Sequence, residues 1–104
     1  MKQIMAILNH DDAETVSREL AKVGYSSTRM DSRGGFLNKP SMTLFVNVED
    51  MKVREVLGII QKNSHAREYD VPMPDKGGAY NLPTKAKISG AVVTVYDVDQ
   101  FYKL

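Results

Sequence analysis

The chain contains no cysteine among its 104 residues. It therefore has no disulfide framework, no thiolate nucleophile and no thiolate metal site, and this composition suits a reducing compartment. An excess of one charge is also missing, since 14 Lys and Arg stand against 13 Asp and Glu and leave a formal charge of +1. No global field is available to hold a nucleic-acid polymer or an anionic membrane, so an anionic ligand must be held locally.

Long hydrophobic runs are absent as well. The apolar stretch within residues 1–8 is too short for a signal sequence. No segment approaches the roughly 20 apolar residues of a membrane-spanning helix. We therefore expect a cytoplasmic protein that makes no membrane contact.

Recognisable catalytic motifs are also lacking. There is no Gly-x-Ser-x-Gly elbow and no His-Glu-x-x-His pair. His10-Asp11-Asp12 places an imidazole beside two carboxylates, but capping and the helix dipole explain carboxylates at the start of a helix. The other histidine, His65, stands at a predicted helix end, where a cation interacts favourably with the dipole. We predict no catalytic residue, no metal and no cofactor, and hence a protein that is not an enzyme.

What the chain does have is a globular composition, with 42% apolar and 26% charged residues. A chain of this length is expected to form one domain over residues 1–104 and to bury about 65% of the surface that its unfolded form exposes.

Hydrophobic periodicity and turn residues predict six elements. They are a strand at residues 2–8, a helix capped by Asp11 and stopped by Gly24, strands at 25–32 and 42–48, a helix from 49 to near Asn63, and a strand at 87–98. Residues 65–86 show no periodicity and are predicted to be one long loop. The order predicts an α+β, ferredoxin-like βαββαβ fold with an antiparallel four-stranded sheet.

The helices of such a fold cover one face of the sheet only. Residues 4–8 and 91–93 are nevertheless apolar at both strand parities, which is unusual for a sheet with one wet face. We predict that other copies of the chain bury the open face. The alternative is that this face carries ordinary half-exposed apolar residues.

The most informative short motif is Gly34-Gly35-Phe36-Leu37, which lies in the predicted loop at residues 33–41. Adjacent glycines reach positive φ and can expose consecutive amide groups as an anion nest, and Phe36 then offers a ring to a nucleobase. A glycine-rich turn with Phe36 in the core explains the same residues. Spacing alone leaves both interpretations open.

Two further segments are candidate parts of a site. Gly24, Ser26 and Thr28 share strand parity, so on a second strand they point to one side and lead into the glycine loop. Tyr69 and Tyr80 in the long loop can close over a ligand. Solvent-exposed hydroxyls and a surface loop without a partner are the alternatives.

Several motifs together resemble the PII-like cyclic di-AMP receptors, nearly from end to end. They are Met1-Lys2-x-Ile4, Thr28, the two-glycine loop, Thr43, Ser89-Gly90-Ala91 and Val98-Asp99-x-Phe101. The resemblance implies a homotrimer that holds cyclic di-AMP in the clefts between neighbouring subunits. It implies that the second strand, the glycine loop, and segments near the long loop and the C-terminus line the ligand.

Carried over residue by residue, the resemblance assigns ligand contact to Thr28, Gly35, Phe36 and Leu37, and we add the adjoining Ser26, Gly34 and Ser41. The chain departs from the family at three places: Gly24 and Ser26 stand where Asn and Arg are usual, and Ser41-Met42 stands where Asn-Thr is usual. Loss of one arginine-to-phosphate hydrogen bond weakens binding by roughly tenfold to a hundredfold.

These residues predict a non-catalytic signalling protein that binds cyclic di-AMP or a related nucleotide and relays it to an unidentified protein partner through loop rearrangement. One alternative is a PII-type sensor of ATP or 2-oxoglutarate, and another is a family member that has lost ligand binding. A ferredoxin-like oxygenase needs a polar cluster on the open face. An RNA-binding domain needs paired aromatics on the third strand, where Phe45 stands alone.

Overall fold

The fold is α+β, with helices packed on one face of a four-stranded antiparallel sheet. A computed structural model describes residues 1–34, 39–70 and 85–104. The elements are β1 (Lys2–Asn9), α1 (His10–Lys22), β2 (Thr28–Gly34), β3 (Lys39–Val48), a 3-10 turn (Asp50–Lys52), α2 (Val53–Lys62), β4 (Arg67–Asp70), β5 (Lys85–Ile88) and β6 (Ala91–Asp97). The sheet order is β2-β3-β1-β6, and β4 pairs with β5 in a separate ribbon. The predicted fold class is confirmed.

The core lies between this sheet and the two helices. Alternate residues of β1 and β3 face the helices, because side chains of a strand alternate between the two faces. The helices contribute residues spaced three and four apart, which form one apolar face. The buried apolar residues are Ile4, Ala6, Leu8, Ala13, Val16, Leu20, Met42, Leu44, Val46, Val48, Val56 and Ile60. Neither α1 nor α2 combines the length and the apolar character that a membrane-crossing helix needs.

Helix α1 begins earlier than predicted. It starts at His10, and the side chain of Asn9 caps it by accepting a hydrogen bond from the backbone N of Asp11 at 2.9 Å. The prediction of Asp11 as the cap was therefore wrong, because β1 runs directly into the helix and leaves Asn9 as the last extended residue. The predicted stop is confirmed, since Gly24 follows the helix with φ +92°.

The predicted loop at residues 65–86 is wrong at both ends. Strands β4 and β5 pair from Arg67 with Ile88 to Asp70 with Lys85. The predicted strand at 87–98 is accordingly two strands, β5 and β6, separated at residues 89–90. Periodicity missed the ribbon because its described side chains, apart from the half-buried Arg67, are exposed, and backbone pairing alone carries no sequence pattern.

The hairpin of β2 and β3 is longer than predicted. Strand β2 begins at Thr28 and reaches Gly34, and β3 begins at Lys39. Every described residue of the predicted loop at 33–41 therefore belongs to a strand. Gly24 and Ser26 precede β2, which makes their predicted strand parity with Thr28 wrong. The last two pairs of the hairpin, Arg33 with Pro40 and Gly34 with Lys39, have no counterpart in β1.

The open face of the sheet carries exposed apolar side chains, as the two-parity pattern predicted. The strand register places Met30, Thr43, Ile7 and Val92 in one row across all four strands. Met30 and Val92 are 55% and 58% exposed, and Ile7 is 38% exposed. Burial of this face by other copies stays a prediction.

Candidate ligand-binding site

Thr28 is the first residue of β2, an edge strand of the sheet. It pairs with Phe45, which pairs with Met5. Cross-strand partners share a face, so Thr28 lies on the open face, where it is exposed. Arg29 has the opposite parity, and its Nη1 donates to Oε1 of Glu14 on α1 at 3.1 Å. Thr28 therefore lies at the border of the open face. On the opposite face, the contact of Arg29 with Glu14 attaches the same strand to α1.

Ser26 lies in the segment before β2, and its two neighbours attach this segment to the helices. The hydroxyl of Tyr25 donates to Glu55 on α2 at 2.8 Å, and the Ser27 hydroxyl lies 3.1 Å from that of Ser17 on α1. The pKa of Tyr25 is raised, first by partial desolvation and to a lesser extent by the hydrogen bond to Glu55. Ser26 itself is exposed. Ser26 is thus an exposed residue on an anchored segment.

Ser41 and Gly34 lie further along the same hairpin. Ser41 is half-buried on the open face, where it pairs with both Ser32 and Asn9. It lies four residues from Phe45 on β3, so Thr28 and Ser41 are separated by about 13 Å along the strand direction. Gly34 ends β2 and pairs with Lys39. The structure thus brings Thr28 and Ser41 to one face, about 13 Å apart along the hairpin.

The centre of the predicted site lies outside the described part of the chain. Gly35, Phe36 and Leu37 lie outside the described residues, and so does Tyr80. The side chain of Tyr69 is likewise not described. Their roles stay predictions from the sequence.

A second polar cluster, which was not predicted from the sequence, lies at the N-terminal end of α1. Arg67 donates from Nη1 to Oδ2 of Asp12 at 2.8 Å and from Nη2 to Oδ1 at 3.0 Å. The backbone N of His65 donates to the same Oδ2 at 2.9 Å. One signal was present: Asp12 lies four residues before Val16 and hence on the buried face of α1. Helix capping, the role expected of this carboxylate, belongs to Asn9 instead.

Asp12 is a buried charge with a complete set of partners. The residue is 5% exposed. The Arg67 hydrogen bonds hold the pKa of Asp12 below its ordinary value, against the opposing effect of burial, and the His65 amide acts in the same direction. Such two-point pairing of a guanidinium and a carboxylate restricts orientation as well as distance. The cluster therefore connects the first turn of α1 to the first residue of β4.

A shallow groove lies beside this cluster, between α2 and β6. Its volume is 340 Å³, and its lining is mainly apolar: Leu57, Ile60, Gln61, Ser64, Ala66, Gly90, Ala91 and Val93. The groove opens on the helix-covered side of the sheet, whereas Thr28 and Ser41 lie on the open face. It is therefore separate from the predicted site.

No group of three or more metal-ligating side chains occurs within residues 1–34, 39–70 and 85–104. His10 and Asp11 approach each other, with Nδ1 and Oδ1 3.9 Å apart, but both are largely exposed. Asp12, the third member of the tripeptide, points instead to Arg67. The tripeptide is therefore divided between two environments.

Comparison with known proteins agrees with this geometry. The chain is similar to a solved structure described as a functionally unknown protein from Pediococcus pentosaceus ATCC 25745. The two are 34% identical with a TM-score of 0.75, and the match covers 99% of this chain and 96% of that one. A family model described as cyclic-di-AMP receptor matches residues 1–104, the whole chain. The chain belongs to the cyclic-di-AMP receptor family.

Proposed function

We propose that this protein is a non-catalytic nucleotide sensor that binds cyclic di-AMP, or a closely related nucleotide, in clefts between the subunits of a homotrimer. Binding orders the loops near the cleft and changes the surface offered to a protein partner. A ligand achieves this only through different affinities for the two loop arrangements. Membership in the cyclic-di-AMP receptor family supports the choice of ligand.

The observation that carries the proposal is the position of Thr28 and Ser41 on one face of the hairpin β2–β3. Thr28 lies at the sheet edge, and Ser41 lies about 13 Å away where the hairpin leaves the sheet. Gly34, which leads into the two-glycine loop, comes at the end of β2. An elongated ligand with hydroxyl and phosphate groups fits such a row of hydroxyls and backbone amides better than a compact metabolite does.

The apolar open face supports assembly into a trimer. Met30 and Val92 occupy opposite edges of this face, each more than half exposed. Contact with neighbouring copies removes this apolar area from water, which favours association. A cleft that borders Thr28 then receives part of its wall from the neighbouring subunit.

The absence of Arg at position 26 argues for weak binding of cyclic di-AMP. Ser26 lacks a charge, and the nearby Arg29 donates to Glu14 on the helix-covered side. A charge-assisted hydrogen bond contributes about 1.5–3 kcal/mol. We therefore expect an affinity roughly tenfold to a hundredfold below that of a relative with Arg.

Calorimetric titration of cyclic di-AMP into the pure protein tests the proposal. We expect saturable heat that is lost in Thr28→Val and retained in Thr15→Val, which removes a hydroxyl from the α1 surface. Absence of heat at about 1 mM ligand refutes the ligand assignment, because binding weaker than this contributes less than about 4 kcal/mol. Parallel thermal-shift measurements with ATP and 2-oxoglutarate test the alternative PII-type sensor.

A further inference from the structure

The ribbon β4–β5 is attached to the rest of the molecule through two short segments, which we call its feet. Residues 63–66 lead from α2 into β4, and residues 89–90 lead from β5 into β6. The feet touch each other at Gly90. A Cβ added there would lie 2.7 Å from the backbone N of His65 and 2.9 Å from the carbonyl carbon of Ser64. Because glycine has no side chain, the backbones of the two feet can lie in contact at Gly90.

The ribbon is short, and each of its strands contains four residues. Its described side chains are half-buried at Arg67 and exposed at Glu68, Lys87 and Ile88. A single two-stranded ribbon is marginally stable by itself. Contacts at its feet therefore matter for its position.

Asp12 supplies the strongest polar attachment among the described residues of the first foot. Its carboxylate accepts two hydrogen bonds from Arg67 and one from the backbone of His65. Arg67 Nη1 also donates to the carbonyl oxygen of His65 at 3.0 Å, so the arginine closes the foot on itself. Asp12 is buried in the first turn of α1, the helix that directly follows β1. Its hydrogen bonds therefore connect the first foot to α1.

We propose that Asp12 is a positioning residue, which sets where the ribbon β4–β5 lies relative to the sheet and thereby tunes nucleotide affinity. The proposal rests on the proposed function, in which ligand binding orders the loops near the cleft. One of the segments that the resemblance places at the ligand is 65–86, which includes β4 and the start of β5. Asp12 touches no ligand in this proposal. It acts through Arg67, which is the first residue of the ribbon.

Hydrogen exchange tests the positioning role without any ligand. In Asp12→Asn the charge-assisted pairing is lost, and we expect protection of the ribbon amides and of the His65 amide to fall about tenfold or more. Protection of β1 and β3 amides should stay unchanged. Arg67→Gln should lower protection of the same amides at least as much, because it also removes the hydrogen bond to the His65 carbonyl oxygen. The double variant should lose less protection than the sum of the two single losses, because both changes remove the shared pairing.

Asp11→Asn is the matched control, since it removes the same charge one residue away from a side chain that is 94% exposed. We expect wild-type exchange in this variant. Unchanged ribbon exchange in Asp12→Asn overturns the proposal, and so does an equal loss of protection in β1 and β3, because that pattern reports only a less stable fold.

Titration of cyclic di-AMP tests the effect on affinity. We expect Asp12→Asn to weaken binding by about tenfold or more, whereas Asp11→Asn leaves it unchanged. If the wild type binds and Asp12→Asn binds equally well, the role of Asp12 in affinity is refuted. If the wild type shows no heat, the proposed function fails instead, and the exchange experiment still decides whether Asp12 positions the ribbon.

Discussion

The hydroxyl of Tyr25 donates to the carboxylate of Glu55 at 2.8 Å. The two residues are 30 positions apart in the chain, and the hydrogen bond joins the segment after α1 to the first turn of α2. It also anchors one side of the exposed Ser26. This one hydrogen bond thus contributes both to helix packing and to the position of Ser26, a candidate site residue.

Replacing Tyr25 with Phe should lower the free energy of unfolding slightly, because one hydrogen bond to a charged group is lost while Glu55 stays in contact with water. Urea unfolding measures the change. Tyr102→Phe is the control, since Tyr102 is 69% exposed and its hydroxyl donates to Gln100, two residues away in the C-terminal tail. Equal effects in the two variants would contradict a stabilising role for the Tyr25 contact.

Acid should reduce stability through Asp12. The pKa of its carboxyl is lower in the folded protein than the ordinary value of 3.8. The pairing therefore stabilises the fold fully above the unfolded-state pKa, and this contribution disappears as the pH falls through the lower folded-state pKa. We expect the stability difference between wild type and Asp12→Asn to be largest near neutral pH and to shrink below about pH 4. Unfolding titrations from pH 7 downward measure it, and a difference independent of pH would contradict the prediction.

Two glycines should respond in opposite directions to replacement by alanine. At Gly90 the new Cβ meets the backbone of His65 at 2.7 Å, so the feet of the ribbon must separate. We expect a loss of about 1–3 kcal/mol. Gly58 lies on the exposed side of α2 with nothing within 4 Å of its added Cβ, and Gly58→Ala should gain about 0.5–1 kcal/mol of stability through helix propensity. Thermal unfolding of both variants measures the contrast, and a neutral Gly90→Ala is the outcome that contradicts it.

Restoring a positive charge at position 26 should strengthen binding of cyclic di-AMP. We expect Ser26→Arg to lower the dissociation constant by roughly tenfold to a hundredfold, because a charge-assisted hydrogen bond to phosphate becomes available. Ala21→Arg places the same charge at an exposed position of α1 and controls for general attraction. Equal gains in both variants would indicate attraction at a distance and not a specific contact.

A charge on the open face should disrupt assembly. Val92 is 58% exposed on β6, and its replacement by Glu would place a carboxylate in the predicted interface. Val23→Glu is the control, because Val23 is 52% exposed but follows α1, away from the open face. Sedimentation should show a trimer for the wild type and for Val23→Glu, and a monomer for Val92→Glu. A wild type that is monomeric at micromolar concentration would contradict the inter-subunit cleft itself.

Elements with an apolar pattern were predictable from the sequence. The spacing of Val16 and Leu20 identified α1, and the apolar run of β1 identified both a strand and a face without helices. In each case burial imposes the pattern that the sequence displays. That principle predicts strands β1, β3 and β6 and both helices.

Polar elements were not predictable in the same way. The ribbon β4–β5 is held by backbone pairing and by contacts at its feet, neither of which requires a periodic side chain. Asp12 finds its partner Arg67 55 residues later in the chain, so local spacing gives no indication of the pair. Thr28 lies on its predicted strand, but Ser26 does not, because Thr and Ser alone do not define where an edge strand begins.

No linker residue separates β1 from α1. Asn9 is both the last residue of the strand and the cap of the helix. Asn9 also pairs with Ser41 on the hairpin, while Asp12, within the first turn of the helix, holds the ribbon. One inserted residue between Asn9 and His10 would rotate α1 by about 100° and turn Asp12 away from Arg67. This junction therefore tolerates changes of side chain more readily than a change of length.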